Sequence, residues 1–142
     1  LSHEDSYKVL DALQDNSLKE KFGFIYSVAC LHMFVLDDDR NKFYKYIYNH
    51  VKENGYCLIL TMGDGVKQSE SDISKAFDNI KRIHQESNKE ISIATTSCRI
   101  VNFDTLYKEI ENNGFEIVEH GLTEIKNHFN EIMYIVIKKA NN

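Results

Sequence analysis

The stretch from Phe22 to Phe34, FGFIYSVACLHMF, decides how this chain is read. It is a short apolar run of strand length, rich in aromatic and β-branched residues, and it breaks abruptly into a polar helix start, DDDR, at residues 37–40. Such a run reads as the buried central strand of a parallel α/β sheet, where helices cover both faces and the strand has no need to alternate. In such sheets ligands gather where the carboxyl ends of the strands open into a crevice. Ser27 to Met33 are therefore the first candidates for a site.

Downstream, Asp37 to Asp39 open a helix, since aspartates cap free N–H groups and complement the positive end of the helix dipole. Phe43, Ile47 and Val51 form its buried stripe, Tyr44 and Tyr48 flank it, and Gly55 is the expected left-handed stop. Tyr56 to Met62, YCLILTM, is a second buried strand. It runs into Gly63-Asp64-Gly65, where two glycines allow a tight turn beside a ligand. Ser69 to Ser87 reads as a helix capped by Ser69 or Ser71, with Ile73, Ala76, Phe77, Ile80 and Ile83 on one face. An extended piece, ISIATTSCRI, follows. Phe103 to Asn113 is a helix stopped by Gly114, FEIVEHGL a strand, and Glu131 to Lys138 the last strand. Upstream, Leu1 to Ser6 read as a polar, frayed segment. Tyr7 to Leu13 reads as a short strand ending at Asp11, or else as a helix from Ser6 to Gln14 with Val9, Leu10 and Leu13 on one face.

The chain has 142 residues, 42% hydrophobic and 27% charged, as expected of a single α/β domain with a real core. Its net charge of -5 lacks the basic footprint of a nucleic-acid binder. No apolar run approaches the ~20 residues that span a bilayer, and no charged n-region precedes a hydrophobic h-region, so the expectation is a soluble cytoplasmic protein with no membrane partner. Cys30, Cys57 and Cys98 lack the paired spacing of a metal or redox motif and read as small hydrophobes. His84, His120 and His128 read as surface groups. The start at Leu1 without a methionine hints at a fragment.

FGFIYSVACLHMF, the helix ending in VKENG and the strand YCLILTM together resemble the middle of class I S-adenosylmethionine-dependent methyltransferases. That family shows F-D-x-I-x-S-x-x-x-L-H-H, a helix closing in L-K-x-G-G, and an apolar strand; Gly23 stands where it usually has aspartate. NGFEIV after the Phe103 helix extends the resemblance. It implies a partial Rossmann-like, doubly wound α/β sheet, mostly parallel with an antiparallel last strand, helices on both faces, and strand order 3-2-1-4-5-7-6. It implies S-adenosylmethionine as cofactor, with Asp11-Ala12 at the adenine and Ser27 at the methionine moiety. It further implies a lid over a small-molecule methyl acceptor from about Asp64 to Arg99.

Within that frame His32 is a candidate base or orienting group, because its ordinary pKa lies near physiological pH; its other reading is a packed, hydrogen-bonded histidine. Met33 and Asp64 are candidate substrate contacts. Arg99 is a fork for an anionic substrate group or the partner of a local acid. The acidic run at Asp37–Asp39 is explained without a metal. No glycine-rich turn of the G-x-G-x-G kind occurs, so the resemblance covers the later half of the family's fold and implies an inactive isolated chain. The missing first strands would leave an apolar strand edge exposed, and the expectation is a homo-oligomer through that edge. A non-catalytic interaction module that keeps the scaffold is the alternative.

Overall fold

The computed structural model of the chain describes residues 8–14, 17–76, 78–84, 86–125 and 129–141. Leu1 to Tyr7, Phe77 and His128, each given a reading above, lie outside them. The elements are β1 (Phe22–Val28), α1 (Asp37–His50), β2 (Val51–Met62), β3 (Ser69–Glu70), β4 (Asn79–Ile83), β5 (Glu90–Ala94), β6 (Arg99–Ile100), α2 (Phe103–Asn112), β7 (Phe115–Ile125) and β8 (Phe129–Lys139). Short 3-10 turns cover Leu31–Met33 and Ile73–Lys75.

The main sheet has the order β1-β2-β8-β7. β1 and β2 run parallel, joined by the crossover helix α1, while β8 is antiparallel to both of its neighbours. The antiparallel last strand is as expected. The mostly parallel sheet is not, because β1–β2 is the one parallel pairing among the described strands. Two strands joined by a short connection, as β7 and β8 are, can pair only antiparallel, whereas a parallel pair needs a crossover.

The core lies on one face of this sheet. Cys57 and Ile59 of β2, Met133, Ile135 and Ile137 of β8 and Phe115 of β7 meet Phe43, Tyr44 and Ile47 of α1 and Leu106 and Ile110 of α2 in one buried cluster. Both α-helices thus cover the same face, not both faces as expected. The opposite face carries Phe24, Tyr26 and Val28 of β1, exposed by 56%, 70% and 45%, beside an exposed Tyr56. β1 is accordingly an edge strand here rather than a buried central one. Its apolar run has the composition of a doubly covered strand, but the described residues supply neither a further strand beyond it nor a helix over its outer face.

Other elements also differ from expectation. Asp37 to Asp39 occupy the first turn of α1, but Leu36 is the capping residue and no side chain caps the helix. The helix ends at His50, whose ring nitrogens lie 2.7 Å from the Tyr46 carbonyl and 3.1 Å from that of Leu18. Gly55 is not its stop. It lies in β2 within an irregularity between the Phe22–Val51 and Phe24–Tyr56 pairs. A Cβ there would come within 2.9 Å of the Gly23 carbonyl, so glycine permits a close strand approach, not a left-handed turn. Gly114, by contrast, ends α2 at φ 83°, as expected.

The helix expected over Ser69–Ser87 is a two-stranded hairpin, β4–β5, preceded by one 3-10 turn. Asp72 accepts the Ser74 N–H and starts only that turn. Ile80 pairs with Ile93, Arg82 with Ile91, and Lys81 reaches Glu90 across the strands at 2.8 Å. β-Branched isoleucines suit a pleated surface, and over so short a run their spacing fits either period. Ser69 sits in β3, paired with Ile100, and Ser71 accepts the Cys98 N–H, so neither caps a helix. The extended reading of the following segment is realised as β5 and β6. Lys8 to Asp11 form no regular element, and neither a strand nor a helix spans the region to Gln14.

Candidate functional site

Because β1 and β2 are parallel, their carboxyl ends open at one edge of the sheet. The ladder continues one residue past β1, where the Ala29 N–H donates to the Leu60 carbonyl at 2.9 Å. Ala29 then takes φ 54°, a left-handed conformation that costs a non-glycine residue about 1–2 kcal/mol. This reverses the chain into the 3-10 turn, closed by the Met33 and Phe34 N–H groups on the Cys30 and Leu31 carbonyls. Strained backbone of this kind clusters at ligand sites.

Ser27 lies near the end of β1, just before this turn; His32 and Met33 lie within it, and Asp64 follows the end of the neighbouring strand. Ser27 hydrogen-bonds the Cys30 thiol, which burial pushes above its usual pKa and Ser27 partly draws back. His32 is only 5% exposed, and its Nδ1 is buried without a hydrogen-bond partner. Burial, and next the Arg40 guanidinium, hold its imidazole below the ordinary 6.5, which keeps it neutral at physiological pH. Met33 is 38% exposed at the rim. Asp64 turns back on its own loop, where Oδ1 accepts the Lys67 and Val66 N–H groups at 2.8 and 2.9 Å; these bonds hold the carboxyl below its usual range.

Arg99 lies behind the turn. Its Nη1 donates to the Val35 carbonyl at 2.9 Å and to Asp37 at 2.5 Å, and Nη2 stands 3.8 Å from Glu109. The ion pair with a local acid is thus present. Asp11 and Ala12 sit apart. Asp11 Oδ1 accepts the Leu13 N–H at 2.9 Å, and Ala12 lines a recess against Lys42, Lys45, Tyr46 and Asn49 of α1. Among the described residues no hydrogen bond joins either to the Ser27–Met33 turn.

Arg40 and Glu109 were not singled out from the sequence. Arg40 is 1% exposed; its Nε and Nη2 fork onto the Glu109 carboxylate at 2.7–3.1 Å, and its Nη1 donates to the Leu31 and Phe34 carbonyls at 3.0 and 3.2 Å. Tyr44 adds a 3.4 Å bond to Glu109, and burial raises its phenol well above the ordinary value. A signal existed: Arg40 stands three and four residues before Phe43 and Tyr44, on the buried stripe of α1. Among the described residues no group of three or more His, Cys, Asp or Glu could hold a metal ion, and no helix is long and apolar enough to cross a membrane.

No protein-family model matches the sequence, and the comparison with curated proteins finds no match. Solved structures do match. An S-adenosylmethionine-dependent methyltransferase from Clostridium acetobutylicum superposes with TM-score 0.64 at 15% identity, over 94% of this chain and 64% of its own. A Burkholderia thailandensis 1,6-didemethyltoxoflavin-N1-methyltransferase, solved with 1,6-didemethyltoxoflavin and S-adenosylhomocysteine bound, gives 0.67 at 11%, over 93% and 49%. An S-adenosylmethionine-dependent methyltransferase from Methanosarcina mazei gives 0.66 at 14%, over 95% and 67%. The chain has a class I methyltransferase-like fold and spans about half to two thirds of the length of these structures.

Proposed function

We propose that the chain carries the carboxyl-terminal part of an S-adenosylmethionine-dependent methyltransferase, as a single domain, and that the complete protein methylates a small-molecule acceptor. The observation that carries this reading is the sheet order β1-β2-β8-β7 with β8 antiparallel to both neighbours. It corresponds to strands 4-5-7-6 of the family's order, which supports reading the Ser27–Met33 stretch as part of the cofactor edge. The small-molecule acceptor is favoured by the acidic balance and by the 1,6-didemethyltoxoflavin bound to the Burkholderia enzyme.

The residues present fit one wall of such a site. The orphaned Nδ1 of His32 can take a polar partner, and the left-handed turn at Ala29 brings backbone to the strand ends. S-adenosylmethionine, when bound, supplies an electrophilic methyl group. Ser27 and its backbone orient the methionine moiety; Asp11 and Ala12 reach the adenine only if their loop moves toward the turn. His32, held neutral, takes a proton from the acceptor, while Met33 and Asp64 line the acceptor side. Arg99 reaches an anionic acceptor by exchanging Asp37 for it. Segment 64–99, with its exposed hairpin, closes over the acceptor and excludes water. Catalysis then comes largely from holding two reactants in attack geometry.

The isolated chain has no glycine-rich cradle and is inactive. Calorimetric titration with S-adenosylhomocysteine tests this: the chain alone shows no heat, and a longer polypeptide carrying an upstream glycine-rich segment binds at micromolar affinity. Binding by the chain alone would overturn the missing-cradle reading, and failure of the longer one would overturn the cofactor. A second reading, a non-catalytic interaction module or homo-oligomer assembled through β1, is favoured by the exposed Phe22, Phe24, Tyr26 and Val28.

A further inference from the structure

We infer that Arg40, anchored by Glu109, is the positioning residue that sets the Leu31–Phe34 turn, and with it His32 and Met33, at the carboxyl ends of β1 and β2. The inference rests on the reading of that turn as a wall of the methyl-transfer site, but its geometry stands independently. Arg40 comes from α1 and Glu109 from α2, and together they reach the loop between β1 and α1. Nη1 of Arg40 spends its hydrogens on two carbonyls of that loop, Leu31 and Phe34, on either side of His32 and Met33. Nε and Nη2 fork onto Glu109, which fixes the plane of the guanidinium. Arg99 adds a third carbonyl, Val35, from the opposite strand segment and lies against the same Glu109. Three successive parts of one loop are thus tied to two arginines that share one carboxylate.

Apolar side chains at both Arg40 and Glu109 would fill these positions at lower desolvation cost, because buried ion pairs replaced as a whole are often dispensable for stability. What an apolar residue cannot do is hold two main-chain carbonyls in a set direction. Lysine cannot reproduce it either, because a single ammonium lacks the planar fork. The turn has few restraints of its own: two 3-10 hydrogen bonds, a left-handed alanine and a histidine whose Nδ1 is unbonded.

The test uses the 142-residue chain and needs no ligand, so it separates failure of this inference from failure of the methyltransferase reading. Amide hydrogen exchange is followed at Met33 and Phe34, whose N–H groups close the turn, and at Cys57–Met62 and Ile132–Ile137 in the sheet. In an Arg40→Met and Glu109→Leu double variant, which leaves no unpaired buried charge, the turn amides exchange about tenfold faster or more while the sheet amides keep their protection, as for a local opening. Arg40→Lys rescues only partly. The His32 imidazole, followed by NMR, titrates at higher pH in the double variant, a change that a merely space-filling role would not produce. Should the double variant not fold, Arg40→Lys serves, with a smaller increase in exchange confined to the same two amides. Uniform loss of protection, or unchanged turn amides and His32 titration, would overturn the inference.

Discussion

Only 1% of Arg40 is exposed, and its charge is matched by one carboxylate, Glu109, whose own side chain is 15% exposed. Removing that partner leaves a buried cation with only carbonyls around it. Glu109→Ala should therefore cost about 3–5 kcal/mol of unfolding free energy, read from urea titrations. A loss under about 1 kcal/mol would show that water reaches the guanidinium. His32 makes a second prediction. Its folded pKa lies below the unfolded 6.5, so at pH 7 both states are mainly neutral. As pH falls through 6.5 the unfolded chain takes up a proton that the folded chain refuses, so stability declines until the folded value is passed and then levels. The urea midpoint should drop between pH 7 and about pH 5.5, and the drop should shrink in His32→Gln; equal drops in both proteins would remove His32 as the cause.

At the scale of the element, the turn after β2 is the most demanding piece of backbone. Gly65 has φ 79°, and a Cβ on it would overlap the Phe103 ring at the start of α2. Gly65→Ala should cost about 2–4 kcal/mol, the sum of a left-handed alanine and an overpacked contact. Thermal unfolding of the variant checks this, and an unchanged melting temperature would mean that the loop and α2 move apart freely. The β4–β5 hairpin shows why element type was legible in some places and not in others. β2 and β8 are long apolar runs whose buried residues alternate, and α2 carries Leu106 and Ile110 at helical spacing; each pattern allows one period. Ile80 and Ile83 are separated by a spacing that a helix tolerates, and only the pairing of Ile80 with Ile93 and of Ile83 with Glu90 makes them strand residues. That pairing is a non-local contact, which periodicity cannot register.

For the whole molecule, the consequence of covering one face of the sheet is an apolar outer face on β1. Phe24 and Tyr26 stack there with ring centroids 6.5 Å apart, and the strand edge beyond them has no described partner strand. Exposed apolar edges recruit other chains. Sedimentation of the isolated chain at micromolar concentration should show self-association that a Phe24→Lys and Tyr26→Lys double variant abolishes. A monomer in both cases would exclude this edge as an association surface. The substitutions lie outside the buried cluster and leave the core untouched.

From the sequence alone came the β1, β2, β7 and β8 segments, both α-helices, the Gly114 stop and the choice of Ser27–Met33 as the stretch at the carboxyl end of β1. These depend on local pattern: contiguous apolar runs, helical spacing and turn residues. The burial of β1, the faces covered by the helices, the hairpin in place of a helix, and the capture of the turn by Arg40, Glu109 and Arg99 were settled only in the folded chain. Each is a relation between segments far apart in sequence, such as Arg40 and Glu109, 69 residues apart. Whether a strand is central or an edge depends on its neighbours, and whether an arginine binds a ligand or a carbonyl depends on what the fold brings within reach.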